Sequence, residues 1–305
     1  MINTFVLTKK LFVITGPTAI GKTSLAIAIA QKLNSEIISA DSRQFYKELK
    51  IGVAAPSDEE LSAVKHHFVG HLSITDYYNV SKFEQDVIGF LNMYFKTNDN
   101  AVMVGGSGLY IDAVCKGIDD LPDPDENLRE KLKKLLKTNG IGYLQQLLEE
   151  LDPDYFDIVD LNNPNRLLRA LEVIIQTGET YTSLRNSKPR QRDFEIVKIG
   201  LNRPREELVE IIEKRVDRMI TGGLVDEVRS LKKYRGVNAL KTVGYQEIFS
   251  YFDGIFTLDE AVEKIKTNTR RYAKRQITWF KRDKEINWFV PEERQKILES
   301  LHKIH

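Results

Sequence analysis

Cysteine is nearly missing from this chain. Cys115 is the single one in 305 residues, which excludes an intrachain disulfide and a thiolate metal cluster. Set among apolar neighbours, it reads as a small buried hydrophobe. Histidine is scarce, and the adjacent His66 and His67 would point to opposite faces of a strand, so they do not make a metal pair. No apolar run approaches the ~20 residues that a bilayer span requires. The first ten residues lack the charged-then-apolar order of a signal peptide. Excess charge of either sign is missing too. The net charge is +1, so no global field draws in a polyanion, and any nucleic-acid surface must be a local patch. Internal repeats and low-complexity segments are absent. What remains, 42% apolar and 29% charged residues, is an ordinary globular composition. It suffices for one large domain with an insertion, or for two. A reducing cytoplasm is the expected location.

The most informative segment is Gly16-Pro17-Thr18-Ala19-Ile20-Gly21-Lys22-Thr23, a complete G-x-x-x-x-G-K-[ST] phosphate-binding loop. It follows the apolar run Leu11–Thr15 and precedes a helical pattern, Ser24–Leu33, the context that the motif requires. Its glycines let backbone N–H groups turn inward around an anion, and the positive helix end adds to the attraction. Lys22 would carry a point charge to the terminal phosphates, and the Thr23 hydroxyl would be a magnesium ligand.

Strand and helix patterns alternate through the first third of the chain. Leu11–Thr15, Glu36–Ala40, His67–Leu72 and Ala101–Val104 read as strands, and Val80–Phe95 as a helix. This alternation predicts a parallel sheet whose ligands bind beyond the carboxyl ends of the strands. From Gly117 to Phe194 only helical patterns appear, at Asn127–Leu136, Tyr143–Leu151 and Arg166–Thr177. Strand character returns at Glu195–Leu201. Helices follow at Arg205–Thr221, Leu224–Tyr234, Val243–Phe252 and Leu258–Phe280, then a short strand at Glu285–Val290. The expected fold is α/β: a P-loop NTPase-like parallel sheet flanked by helices (residues 1–116 and 195–305, ending in basic helices) with an all-helical insertion at 117–194.

Three further groups of residues carry chemistry. Asp41, at the end of the second strand, is on spacing alone a helix cap, with magnesium ligand and general base as the other roles. Gly105-Gly106-Ser107-Gly108 is a second glycine-rich corner, implying close approach to the backbone or positive φ. Residues 264–284 hold Lys264, Lys266, Arg270, Arg271, Lys274, Arg275, Lys281, Arg282 and Lys284 against one acid, Asp283. That stretch is either a solvated face or a contact for nucleic-acid phosphates. Arg215 and Arg218 share a helix face and either reach the anion crevice or pair with Glu206, Glu207, Glu213 or Asp217.

Taken in order, these motifs resemble the tRNA dimethylallyltransferases (tRNA isopentenyltransferases). The resemblance rests on the phosphate loop, Ile38–Gln44, Gly105–Tyr110, Arg166–Val173, Gly223–Val228, Val243–Gln246 and Ala273–Phe280. It implies transfer of the dimethylallyl group of dimethylallyl diphosphate to N6 of the adenine immediately 3′ of the anticodon, in tRNAs reading codons that begin with U. Diphosphate would be released. Within the resemblance, Asp41 becomes the general base, and Thr18 and Arg215 are catalytic. Gly16, Pro17, Thr18, Ala19, Ile20, Gly21, Lys22 and Thr23 hold the diphosphate or a nucleotide, with Mg2+ at Thr23. The tRNA is met by Asp41, Ser42, Arg43, Gln44, Ser107, Arg129, Asn165, Arg166, Leu167, Leu168 and Arg169. It is also met by Lys241, Thr242, Val243, Gly244, Tyr245, Gln246, Arg271, Lys274 and Arg275. A cytoplasmic monomer without membrane association is expected.

The chain departs from the family pattern at several positions. Val53 and Ala55 stand where threonine and lysine are usual. His71 and Asn163 replace aspartates, Asn165 a glutamine, and Ser107 a threonine. The rival readings are a P-loop small-molecule or nucleotide kinase, an isopentenyltransferase acting on free adenine nucleotide, and a nucleic-acid-binding ATPase.

Overall fold

The computed structural model describes residues 9–185, 189–301 and 303. Most of the N-terminal segment read above as unlike a signal peptide lies outside them. The chain divides into two compact units. One runs up to Lys116 and resumes at Gln191, and the other is Gly117–Arg190. The resumption precedes by four residues the strand at which the sequence pattern placed it.

The first unit is built on a six-stranded parallel sheet: β1 (Lys10–Thr15), β2 (Ile37–Ser39), β3 (His66–His67), β4 (Asn100–Val104), β5 (Glu195–Leu201) and β6 (Asn287–Phe289), in the order β3-β2-β4-β1-β5-β6. The central strands are continuous β-branched and aromatic runs because both faces are covered. Alternation splits β1 between two cores. Phe12 and Ile14 join Leu25, Ala26 and Ile29 of helix Lys22–Leu33 on one face. Leu11 and Val13 join Phe83, Val87 and Leu91 of helix Val80–Tyr94 on the other. A third cluster lies among the helices after β5 and the 46–53 segment. It gathers Leu49, Val53, Val216, Leu224, Tyr245, Ile248 and Ile265. Cys115 is buried, and burial pushes its thiol up to about 12, as suits an inert packing residue.

Several elements differ from the sequence reading, among them short helices at Asp58–Ala63 and Arg294–Ser300 that it did not contain. β3 stops after two residues because Phe68 and Gly70 take positive φ, 61° and 57°. The helix expected at Leu224–Tyr234 ends at Ser230 and gives way to a 3₁₀ turn at Lys232–Tyr234. A helix at Gly108–Lys116, unannounced by its glycine-rich start, follows the second glycine corner.

The second unit packs helices Glu126–Asn139, Ile141–Leu151 and Pro164–Thr177 around Leu132, Leu144, Leu148, Leu167 and Leu171. It contains no strand among its described residues. Asp125, Asp152 and Asn163 cap its helices through side-chain oxygens.

The return of the chain to the first unit is fixed by a buried ion pair. Arg192 donates to Glu84 at 2.6 Å and to the carbonyls of Ala113 and Val114 at 2.9 Å. Both side chains are at most 10% exposed. Removing one partner strands the other charge, so Glu84→Ala should cost about 3–5 kcal/mol, measured as a fall in the urea unfolding midpoint. A loss under about 1 kcal/mol would show the pair to be replaceable by water.

Candidate active site

The phosphate loop is shaped by backbone that ordinary residues resist. Gly16 has φ 142°, and a Cβ there would lie 2.4 Å from the Leu201 carbonyl oxygen. Gly21 (φ 96°) opens helix Lys22–Leu33 without a side-chain cap. The amides of Ala19, Ile20 and Gly21 donate to no described carbonyl. Together with the first helical turn they leave a group of uncommitted N–H donors at a positive helix end, the makings of an anion site. The amide of Thr18 is engaged differently. It donates to Gln276 Oε1 at 2.8 Å, and Gln276 Nε2 donates to the Gly106 carbonyl at 2.9 Å. Lys22 Nζ donates to the Pro17 carbonyl at 2.7 Å. The Thr23 hydroxyl makes no hydrogen bond to a described residue.

Asp41 stands across a cleft of about 90 Å³ that Thr18, Arg43, Arg215 and Tyr272 also line. No helix follows Asp41 directly. Its Oδ1 accepts the Arg43 amide at 3.0 Å, so it caps a turn rather than a helix. Its Oδ2 takes no hydrogen bond from any described residue. Arg43 is steadied by the Asn238 carbonyl at 3.1 Å. Ser107 accepts the Ser42 amide at 3.0 Å and donates to Ser42 Oγ at 3.2 Å.

Arg215 pairs with none of the acids open to it. Glu207 takes Arg203, Glu213 takes Arg270, and Asp217 takes Lys266. Burial lowers the Arg215 pKa, with Asp41 opposing the shift. Lys22 is brought down to about 7 by burial of its ammonium; Asp41 works against this and Arg215 adds to it. Tyr272 is held neutral by burial and by negative Asp41. Lys22, Arg215, Asp41 and Tyr272 therefore act on one another electrostatically, a setting in which pKa shifts mark functional groups.

The cleft's far wall is backbone held by carboxylates. Glu227 accepts the amides of Lys50, Ile51 and Gly52 at 3.1, 2.7 and 3.0 Å and the Tyr245 hydroxyl at 2.6 Å. Glu247 accepts the Gly244 amide at 2.8 Å and Asn268 Nδ2 at 2.7 Å. Gln44 accepts from Ser39 Oγ at 3.1 Å and donates to the carbonyls of Val53 and Ala54.

Several candidates from the sequence are therefore structural in their side chains. Gln44 is fully engaged. Tyr245, Leu167 and Leu168 are core residues, leaving only their backbone to face a ligand. The second glycine corner is crowded by the protein itself: a Cβ on Gly106 would meet Gln276 Nε2 at 2.2 Å, and one on Gly108 would meet the Trp279 ring at 2.4 Å. Thr242, Val243 and Gly244 line the cleft.

Along helix Leu258–Phe280, Lys266 and Arg270 are tied to acids, whereas Arg271, Lys274 and Arg275 are exposed. Lys241 and Gln246 are also exposed. Within the second unit, Asn165 and Arg166 are exposed, and Arg129 and Arg169 both bond to Glu172. Sequence reasoning missed Tyr272 and Gln276, uncharged members of the basic 264–284 stretch, Glu227 inside the Gly223–Val228 motif, and Glu247 just beyond Val243–Gln246. A larger cavity of about 230 Å³, lined by Thr15, Lys198, Trp279 and Asp283, lacks the Asp41 and Arg215 that line the smaller cleft and is edged by mutually paired charges.

The depressed Lys22 pKa has a signed consequence. Between pH 7 and 10.5 the unfolded chain binds the proton that the folded one releases, so this group makes the free protein more stable as pH rises. An anion that restores the ammonium takes up a proton above pH 7. Inorganic diphosphate at pH 8 should bind with uptake approaching one proton, and its affinity should fall by up to about tenfold per pH unit. Calorimetry in buffers of different ionisation enthalpy reads the uptake. An unaltered uptake in Lys22→Met would assign the proton elsewhere.

Known proteins resemble this chain over most of its length. The family model described as IPP transferase matches residues 44–283. The chain is 50% identical over 291 residues to tRNA dimethylallyltransferase 1 of Bacteroides thetaiotaomicron, covering 95% of this chain and 94% of that one. It is 52% identical over 283 residues to the tRNA dimethylallyltransferase of Christiangramia forsetii, covering 93% and 94%. The crystal structure of the full-length tRNA isopentenylpyrophosphate transferase from Bacillus halodurans superposes with a TM-score of 0.71 at 33% identity, covering 97% and 96%. The chain belongs to the IPP transferase family, that of the tRNA dimethylallyltransferases.

Proposed function

We propose that this protein transfers the dimethylallyl group of dimethylallyl diphosphate to N6 of the adenine immediately 3′ of the anticodon in tRNAs reading codons that begin with U. The observation that carries this reading is the free Asp41 Oδ2 in the field of Lys22 and Arg215. The exocyclic amine of adenine is a poor nucleophile because its lone pair is delocalised. In the proposed step N6 attacks C1 of the donor, the C1–O bond breaks with its electron pair leaving on diphosphate, and the N6 proton passes to Asp41. Lys22, Arg215 and the amides of residues 19–23 receive the developing negative charge. The neutral phenol of Tyr272, beside Asp41 and Ser107, supplies a donor to the base.

Thr23 presents a hard oxygen in the first helical turn and suits magnesium, with the remaining ligands coming from diphosphate and water; no acid or histidine triad competes for the ion among the described residues. The metal would add positive charge at the leaving group. To enter the cleft the adenine must leave its stack. Arg43, Lys241, Arg271, Lys274, Arg275, Arg129, Asn165, Arg166 and Arg169 offer the RNA contacts. Action as a cytoplasmic monomer is part of the proposal. No helix among the described residues is long and apolar enough to cross a membrane.

Mass spectrometry of anticodon-loop nucleosides, after incubation with tRNA, magnesium and dimethylallyl diphosphate, tests the reaction. Labelled ATP in a parallel tube tests the kinase alternative, and phosphate transfer with no prenyl adduct would overturn the proposal. Asp41→Ala should reduce transfer by about 10²–10⁴-fold while diphosphate affinity stays within about threefold. Retained turnover would remove the base role. Replacing Arg271, Lys274 and Arg275 together by glutamine should weaken tRNA binding and shallow the log–log salt dependence by about two units. An unchanged slope would return that face to solvent.

A further inference from the structure

One carboxylate of the insertion unit is wholly inside it. Glu172 lies on helix Pro164–Thr177 with 0% of its surface exposed. Its Oε2 accepts from two arginines, Arg129 at 2.8 Å and Arg169 at 3.0 Å, while Oε1 meets no donor among the described residues. Arg169 and Glu172 are three apart on one helix; Arg129 comes from the neighbouring helix Glu126–Asn139. Arg169 also donates to the Pro122 carbonyl at 2.6 Å, which fixes the plane of its guanidinium. The two guanidinium side chains remain 36% and 25% exposed.

This is a costly way to hold a helix pair. A buried ion pair is stabilising only when its hydrogen bonds are complete, yet here one oxygen serves two donors and the other serves none. Two like charges are drawn together that would otherwise separate. The triad carries a net positive charge whose remaining N–H groups reach the surface, and its geometry is set before anything binds. Forked, fixed guanidiniums are the groups that grip phosphate oxygens.

We propose that Glu172 is a positioning residue for RNA: it presents Arg129 and Arg169 as a preset pair that clasps a backbone phosphate of the substrate. This rests on the reading of this chain as a tRNA-modifying enzyme. The test uses the full chain, an anticodon stem-loop RNA for affinity and whole tRNA for kinetics. Glu172→Gln keeps the shape and removes the charge. It should raise the stem-loop Kd and the tRNA KM about tenfold, with kcat and the KM for dimethylallyl diphosphate within about twofold of wild type. In an Arg129→Ala, Arg169→Ala background the same substitution should change stem-loop affinity by less than about twofold. A loss that persists in that background, or equal losses in kcat and both KM values, would make Glu172 a packing residue and overturn the assignment. So would unchanged affinity in Glu172→Gln. If that variant does not fold, Arg129→Lys takes its place. It keeps the charge and loses the fork, so it should weaken stem-loop binding nearly as far as Arg129→Ala; wild-type affinity would overturn the assignment. Wild-type protein that leaves tRNA unmodified would instead sink the transfer reading.

Discussion

Gln276 is where the site is tied together. Its carboxamide is 5% exposed and reaches two loops from one helix, accepting from the Thr18 amide and donating to the Gly106 carbonyl. Only a glycine at 106 lets it approach, since a Cβ there would sit 2.2 Å from Nε2. Through this link the phosphate loop, the second glycine corner and the basic helix become one rigid frame. Tyr272, one turn back on that helix, is thereby set against Asp41. A buried amide with both ends bonded rigidifies what it joins, and losing either end leaves an unsatisfied group in the interior.

Within that frame the charges are arranged against their own preference. Arg215 has no acid partner among the described residues, and Lys22 leans on a carbonyl rather than on Asp41. Neighbouring acids pair instead with Arg203, Lys266 and Arg270. Positive field is thus concentrated at the loop, while Asp41 keeps one oxygen for a proton. Burial that lowers a cation's pKa is offset when an anion arrives, and this couples ligand binding to protonation.

The sequence was legible where the signal is local. The phosphate loop needs fixed residues at fixed spacing, and β1, β4 and β5 are apolar runs that only a covered sheet explains. Helices Arg205–Thr221 and Leu258–Phe280 kept their expected limits: Pro204 and Gly222 bracket the first, which has no side-chain cap, and a Thr257–Glu260 capping box opens the second. It was illegible where side chains act across distance. Glu227 looks like any acid in a first helical turn, yet it gathers amides from a loop 175 or more residues away. Tyr245 sits in a motif read as an RNA contact but faces inward to the same carboxylate. The glycines at 105, 106 and 108 announced a close approach correctly but not its partner, which is the protein's own strand end and basic helix.

The grip of Glu227 on main-chain amides also bears on how this wall of the cleft tolerates change. The 50–54 segment is gripped by its N–H groups and, through Gln44, by its carbonyls, none of which depends on what its side chains are. Val53 packs into the third core cluster and Ala55 against it, so side chains there can change in chemistry within the volume that this cluster leaves them. Such a surface can drift in chemistry while its outline is inherited intact.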